Sequence, residues 1–158
     1  MIPQISQAPG VVQLVLNFLQ VLEQQGFTGD TATSYADRLT MATDNSVYQL
    51  LPDAVLFPRS TADVALLARV AAEPRFKSLI FTPRGGGTGT NGQALNGGII
   101  VDMSRYMNRI IEINPEEGWV RVEAGVIKDQ LNQFLQALWL FLFPGALHQQ
   151  PRYPGRDD

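Results

Sequence analysis

The sequence predicts a mixed α/β (α+β) domain, a small mixed sheet flanked by helices. Short apolar runs alternate with amphipathic helical stretches, and two more strand-like runs with a turn between them follow a glycine-rich loop. At 158 residues, of which 45% are hydrophobic, the chain is long enough to bury one core. We therefore expect a single α/β arrangement without internal repeats.

The first predicted element is an amphipathic helix from Val11 to Leu22, because apolar residues recur there at helical spacing and Gly26 stands where a helix would end. Asp30 to Leu51 shows no clean periodicity and is interpreted as short helical turns and loop. Residues 1–51 are thus expected to form an N-terminal helical lead-in.

A strand, a helix and a second strand are predicted next. Ala54 to Phe57 is a short apolar run ended by Pro58, and Ser60 or Thr61 can cap the helix that follows. Ser78 to Thr82 then predicts the second strand. A strand, helix, strand unit is typical of parallel pairing.

Three more strands and a helix complete the predicted order. Gly98 to Asp102 is the third strand, and Arg109–Ile113 and Trp119–Glu123 flank a segment with the composition of a hairpin turn. The last helix is predicted after Val126, with these residues on one face: Ile127, Leu131, Phe134 and Leu135.

Composition excludes several classes of function. A net charge of −3 with scattered basic residues argues against a nucleic-acid partner. The chain has no cysteine, so this stretch cannot hold disulfides, zinc thiolates, iron–sulfur clusters or a cysteine nucleophile. The longest apolar run, Ala137 to Phe143, is far shorter than the roughly 20 residues of a membrane span. Without a recognisable signal sequence, we expect a cytoplasmic protein.

The glycine-rich loop is the strongest candidate site. Seven of the 14 glycines lie between Gly85 and Gly98, just after a predicted strand. Glycine allows positive φ and close approach of the backbone to a ligand, and successive N–H groups can converge on an anion. Thr88, Thr90 and Asn91 add polar side chains, while Arg84 either offers charge or is a solvated loop residue.

Other interpretations of this loop fit the sequence less well. A flexible connector fits poorly between two buried strands. Gly87 to Gly92 matches G-x-G-x-x-G, but that fingerprint must open a helix, whereas a strand follows here. The Walker A pattern also fails, because no Gly-Lys-Ser/Thr tripeptide is present.

The order of motifs provides a resemblance. P-R-S-T-A-D-V, P-R-G-G-G-T-G-x-x-G, G-I-I-V-D-M, N-R-I-I-E-I-N-P and V-R-V-E-A-G-V follow one another between residues 52 and 135. In this order they resemble the FAD-linked oxidase family, whose cofactor domain is the PCMH type, and within it the D-2-hydroxyacid dehydrogenase branch. The resemblance implies the N-terminal subdomain of a PCMH-type FAD-binding fold.

The resemblance also implies a cofactor site and a reaction. Non-covalent FAD would be held through its diphosphate by Pro83, Arg84, Gly85, Gly86, Gly87, Thr88, Gly89, Thr90, Asn91 and Gly92. The intact relative would oxidise a small 2-hydroxyacid by hydride transfer to FAD, in the cytoplasm or peripherally at the inner membrane face. Catalytic groups, and the iron–sulfur motifs of large bacterial members, would lie outside this chain, which is expected to be inactive alone.

Residues 136–158 depart from the family pattern. Suitable synonymous codons for this stretch, read from the second base, encode K-P-Y-G-Y-F-F-F-P-E-L-S-T-S-N-R-A-T-L-G-G-M, which resembles the expected family continuation. A reading-frame shift near Phe134 to Gln136 is therefore hypothesised. His148, the only histidine, falls inside the shifted stretch and is not a site candidate.

Two alternatives stay open for function: a non-enzymatic nucleotide- or phosphate-binding module, and a folded remnant without a ligand. Apart from the loop, no catalytic constellation stands out. Asp102, Glu112 and Glu123 lie on strands or at their ends and are interpreted as structural.

Overall fold

A computed structural model describes residues 11–136, 138 and 140. The helices are α1 (Gln13–Gln24), α2 (Tyr35–Thr40), α3 (Thr61–Ala71) and α4 (Lys128–Gln136), with one 3₁₀ turn at Pro74–Phe76. The strands are β1 (Asp30–Ala32), β2 (Ala54–Phe57), β3 (Phe81–Arg84), β4 (Ile99–Asp102), β5 (Ile110–Asn114) and β6 (Trp119–Val122).

The main sheet has four strands in the order β1, β2, β4, β3. β4 pairs in parallel with β2 on one side and with β3 on the other, whereas β1 runs antiparallel along β2. β5 and β6 form a separate antiparallel hairpin with an irregularity between Ile110 and Glu112. A small mixed sheet with helices is the predicted fold class, and it is confirmed.

The core lies against the two central strands. Every residue of β2 and β4 is buried, as expected for parallel strands that are covered on both faces. On one face the strands pack with α1 and α3 around Phe18, Leu22 and Val70. On the other face Val55, Phe57 and Ile100 form a smaller cluster. These contacts fix the carboxyl ends of β3 and β4, from which the candidate site projects.

α1 ends as the sequence predicts. Gly26 has φ +90°, and its N–H donates to the Glu23 carbonyl at 3.0 Å. The N–H of Phe27 donates to the Leu22 carbonyl, also at 3.0 Å. This pair of bonds is the Schellman arrangement, in which glycine accepts the left-handed conformation without steric cost.

The second strand of the parallel pair is displaced from its predicted position. Ser78 to Thr82 was expected, but β3 begins only at Phe81 and extends through Pro83 to Arg84. The reason is twofold: the 3₁₀ turn buries Phe76 and is followed by a further turn through Ser78, and β4 then sets the register by pairing Ile99 with Phe81. Pro83 is tolerated because β3 is an edge strand.

Two other expectations need correction. β1 lies in the stretch that was interpreted as turns and loop, because pairing with β2 gives Asp30 to Ala32 their extended conformation. On α4, Leu131 and Leu135 are buried as predicted, whereas Phe134 is half exposed. Ile127, which precedes α4, is also exposed.

The chain divides into two compact units, Met1–Ile127 and Lys128–Asp158. The first contains both sheets. In the second, the described structure is α4 and the turn after it, where the N–H groups of Leu138 and Leu140 donate to the Leu135 carbonyl. Within the described residues, no helix is both long enough and apolar enough to cross a membrane.

Candidate functional site

The glycine loop, residues 85–92, follows β3 at the carboxyl end of the parallel strands. Ligand sites of open α/β sheets lie at this edge. Gly87 and Gly92 have φ of +65° and +74°, so the loop turns twice through the left-handed region that favours glycine. Gly85, Gly86, Thr88 and Thr90 are exposed to solvent. The loop thus presents its backbone outward at the expected edge.

Its backbone donors are available. In the part of the chain that the structure describes, the N–H groups of Gly86 to Thr90 donate no hydrogen bond to another residue. The next N–H, of Asn91, donates to Oε1 of Gln93 at 3.0 Å and is therefore already in use. A run of exposed and unused N–H groups is the donor set that nests offer to an anion.

Gly85 and Gly86 are glycines that the fold itself does not require. Neither has positive φ, and a Cβ at Gly85 would meet nothing within 4 Å. A Cβ at Gly86 would meet only the Thr88 methyl group, at an ordinary 3.6 Å. The space in front of these two residues is open, so their glycines fit the close approach of an external group such as a diphosphate.

Arg84 lies on the inner side of the loop, and only 9% of it is exposed. Its Nη2 donates to the Thr43 carbonyl at 2.9 Å, and its Nη1 lies 3.5 Å from the Met41 carbonyl. Its guanidinium also packs against Gly87, where a Cβ would come within 2.4 Å of Nη2. The sequence predicts that Arg84 either offers its charge to a ligand or is a solvated loop residue. The side chain is not solvated, and its guanidinium is directed at the Met41 and Thr43 carbonyls and not at the exposed side of the loop.

Residues 41–50 form a wall beside the loop; we call them the flanking segment. The segment is closed by a bridge between Thr43 and Gln49 and by a 2.9 Å hydrogen bond from the Leu50 N–H to the Ala42 carbonyl. The exposed Tyr48 ring packs against Gly92, where a Cβ would lie 3.0 Å from Cδ2. Sequence reasoning missed this segment, since it has no periodicity to indicate its position.

Asp44 in the flanking segment has a lowered pKa. The main cause is the hydrogen bond with the Ser46 hydroxyl; burial opposes it, while the Ser46 N–H and the nearby charge of Arg84 also lower the pKa. The Ser46 N–H donates to Asp44 Oδ1 at 2.8 Å. A carboxylate therefore lies near the buried guanidinium.

The far end of the loop is held by Asn96, which sequence reasoning also missed. Its buried amide donates to Thr82 Oγ1 at 2.8 Å and to the Ile99 carbonyl at 3.2 Å, while its Oδ1 accepts from the Gly98 N–H. Asn96 thus ties the loop end to β3 and β4. An asparagine before a pair of glycines carries no sequence signal that separates this role from a surface turn.

The acidic residues that were interpreted as structural make structural contacts. Asp102 Oδ1 accepts from the Ser104 N–H at 2.9 Å and shapes the turn after β4. Glu123 accepts from the Arg109 N–H at 2.9 Å and from its Nη2 at 2.6 Å. The Arg109 side chain is the main reason that the pKa of Glu123 is lowered. Glu112 pairs with Arg121 across the hairpin.

A second charged cluster lies at the same sheet edge, where β1 begins. The Tyr106 hydroxyl donates to Asp30 Oδ2 at 2.5 Å, and Arg59 Nη2 lies 3.0 Å from Oδ1. These two contacts, in that order, are the main causes that lower the pKa of Asp30. Arg59 also stacks on the Tyr106 ring, 4.1 Å from its centroid. The cluster holds β1 to the turn after β4.

No group of three or more potential metal ligands occurs within residues 11–136. His148 and the other residues of 141–158 lie outside the described residues, as do residues 1–10. Two depressions of about 370 and 330 Å³ flank α1, and loop residues line neither of them.

The chain matches a family profile, curated proteins and solved structures. The profile of the FAD binding domain family matches residues 52–150. The chain is 86% identical over 144 residues to D-2-hydroxyglutarate dehydrogenase of Escherichia coli (strain K12) and 75% identical to that of Pantoea ananatis (strain AJ13355). Each alignment covers 91% of this chain and 14% of the relative. An alkyldihydroxyacetonephosphate synthase structure matches with a TM-score of 0.68 at 19% identity, covering 87% of this chain and 27% of that one.

Proposed function

This chain belongs to the FAD-binding domain family, and we propose that residues 83–92 hold the diphosphate of FAD. The backbone N–H groups of Gly86 to Gly89 donate to phosphate oxygens, and the Thr88 hydroxyl adds a donor from the same exposed face. Pro83 and Arg84 shape the entry to the loop from β3, while Thr90, Asn91 and Gly92 form its exit.

The observation that carries this proposal is the open space at Gly85 and Gly86. Two glycines without positive φ and without a close neighbour gain nothing for the fold, since glycine costs roughly 0.5–1 kcal/mol of conformational entropy relative to alanine. Beside unused N–H groups, they leave room for an anion to reach the backbone.

The chain spans 14% of the curated D-2-hydroxyglutarate dehydrogenases that it matches. We propose that a protein carrying the whole of that fold oxidises a D-2-hydroxyacid, with D-2-hydroxyglutarate as the first candidate. Bound FAD would supply the hydride acceptor. The contribution of this chain's residues is to bind and orient the cofactor through the loop; the substrate would be bound by other parts of such a protein.

Titration of the purified chain tests the cofactor assignment. We expect FAD to quench tryptophan fluorescence or shift its own absorbance saturably, with ADP competing because it carries the same diphosphate, and with FMN binding more weakly. ADP binding without any preference for FAD would support the non-enzymatic nucleotide module instead. Failure of FAD, ADP and inorganic pyrophosphate to bind would leave the folded remnant and would overturn the proposal.

For residues 136–158 we propose a reading-frame shift, on the ground that an overlapping frame can encode a family-like peptide. The match to the family profile extends into this stretch, to residue 150, so the proposal rests on the overlapping frame alone. Most of this stretch lies outside the described residues. Sequencing the coding DNA decides the matter: we expect the overlapping frame to contain P-E-L-S-T-S-N-R-A-T-L-G-G. If no overlapping frame encodes that peptide, the shift did not occur.

A further inference from the structure

We propose that Arg84 is a positioning residue for the diphosphate loop: its guanidinium locks the flanking segment and Gly87 together, and it makes no contact with the ligand. The inference rests on the proposed function for its effect on binding. Its effect on the loop itself can be measured without any ligand.

The Arg84 side chain points away from solvent. Arg84 is about nine-tenths buried, and its two terminal nitrogens face the carbonyl oxygens of Thr43 and Met41. An arginine that bound phosphate would direct its planar fork at the anion. Here the fork is directed into the protein, toward backbone acceptors of another segment.

The Arg84 guanidinium also packs closely against Gly87. The guanidinium lies where a side chain at this position would begin, with Nη2 2.4 Å and Cζ 2.8 Å from an ideal Cβ. Gly87 combines this contact with φ +65°, so its backbone folds closely around the arginine head. One side chain thereby joins β3, the flanking segment and the middle of the loop.

The glycine loop needs an interaction that keeps it ordered before a ligand binds. The N–H groups that would face phosphate have no partners within the described chain, so no hydrogen bond of their own keeps them aligned. A loop that becomes ordered only on binding loses conformational entropy at that point, and this loss lowers its affinity for the ligand. A buried guanidinium that holds the loop in its binding conformation before the ligand arrives reduces this loss.

The experiment compares Arg84→Lys with Arg84→Gln. Lysine keeps the charge but cannot span two carbonyls with a rigid fork. If Arg84 positions the loop, both variants should weaken FAD and ADP binding by a similar factor of about ten, and the salt dependence should not change. If Arg84 instead contacts phosphate through its charge, Arg84→Lys should retain most of the affinity, and this would overturn the proposal. Arg69→Lys and Arg69→Gln, at an exposed position of α3, are the matched controls, which should leave affinity unchanged.

The ligand-free measurement is backbone NMR relaxation. We expect the order parameters of residues 85–89 to fall from about 0.8 to below about 0.6 in both Arg84 variants, and β2 and β4 to keep rigid values. Loop values unchanged from the wild type would overturn the proposal. Loss of structure throughout Arg84→Lys would overturn it as well, since Arg84 would then determine the whole fold. If the wild-type chain binds no ligand, the proposed function fails, while the relaxation data still decide the role of Arg84.

Discussion

Replacing Asp63 with alanine should lower the free energy of unfolding by about 3 kcal/mol at neutral pH, since hydrogen bonds to a buried charge contribute roughly 1.5–3 kcal/mol each and their effects overlap. Asp63 is only 3% exposed. Its carboxylate accepts from the Thr28 N–H at 2.9 Å, the Thr28 hydroxyl at 2.8 Å and the Arg59 N–H at 2.8 Å. Alanine would remove the one acceptor that these three donors share. Urea unfolding at pH 7 measures the loss.

A matched control is available in α2. Ser34 and Asp37 stand in the same capping relation as Ser60 and Asp63, with the Asp N–H donating to the Ser hydroxyl at 3.2 Å in both helices. Asp37 is exposed, and among the described residues its carboxylate contacts the Ser34 hydroxyl of its own cap. Asp37→Ala should therefore cost about 0.5 kcal/mol. Equal losses in the two variants would show that Asp63 acts only as a helix cap.

The pH dependence follows from the direction of the shift. Burial alone raises the pKa of Asp63, but the N–H groups of Thr28, Arg59 and Ser60 and the Thr28 hydroxyl outweigh it, so the pKa lies below its ordinary value of 3.8. The stabilisation is complete above the unfolded-state pKa and is lost as the pH falls through the folded-state value. The gap between wild type and Asp63→Ala should thus stay constant from pH 7 to 5 and narrow below about pH 4.

The sequence predicts those elements that local interactions determine and misses those that depend on residues distant in the chain. β2, β4, α1 and the Ser60 cap follow from local patterns, because burial on both faces and capping leave residue types in fixed positions. β1 could not be found this way, since only pairing with β2 makes three ordinary residues extended.

The glycine loop shows the same division. The sequence alone shows its high glycine content and predicts its position after a strand. The structure confirms that the loop lies at the carboxyl edge of the sheet. The sequence does not predict the partners of Arg84, because they are backbone carbonyls of the flanking segment and every residue type has such a carbonyl. The sequence cannot tell an inward from an outward arginine when the acceptor has no side chain.

A single methyl group at Gly86 should separate ligand binding from folding. Because a Cβ there would meet only the Thr88 methyl group, at an ordinary 3.6 Å, and alanine loses less conformational entropy than glycine on folding, Gly86→Ala should be at least as stable as the wild type, by up to about 1 kcal/mol. If the diphosphate approaches the loop at Gly86 as proposed, the same methyl group should keep a phosphate oxygen from reaching the N–H groups beside it. Losing one hydrogen bond to a charged group costs roughly 2 kcal/mol, so FAD affinity should fall about thirtyfold.

Gly118→Ala provides the opposite control. Gly118 has φ +72° in the β5–β6 turn and nothing within 4 Å of its Cβ position, so alanine there strains the backbone by about 1 kcal/mol without approaching the loop. That variant should lose stability and keep its FAD affinity, while Gly86→Ala should do the reverse. Isothermal titration with FAD measures the affinity of each variant, and urea unfolding measures the free energy of unfolding of each. If Gly86→Ala binds FAD as tightly as the wild type, the cofactor does not approach this face of the loop, and the diphosphate assignment fails.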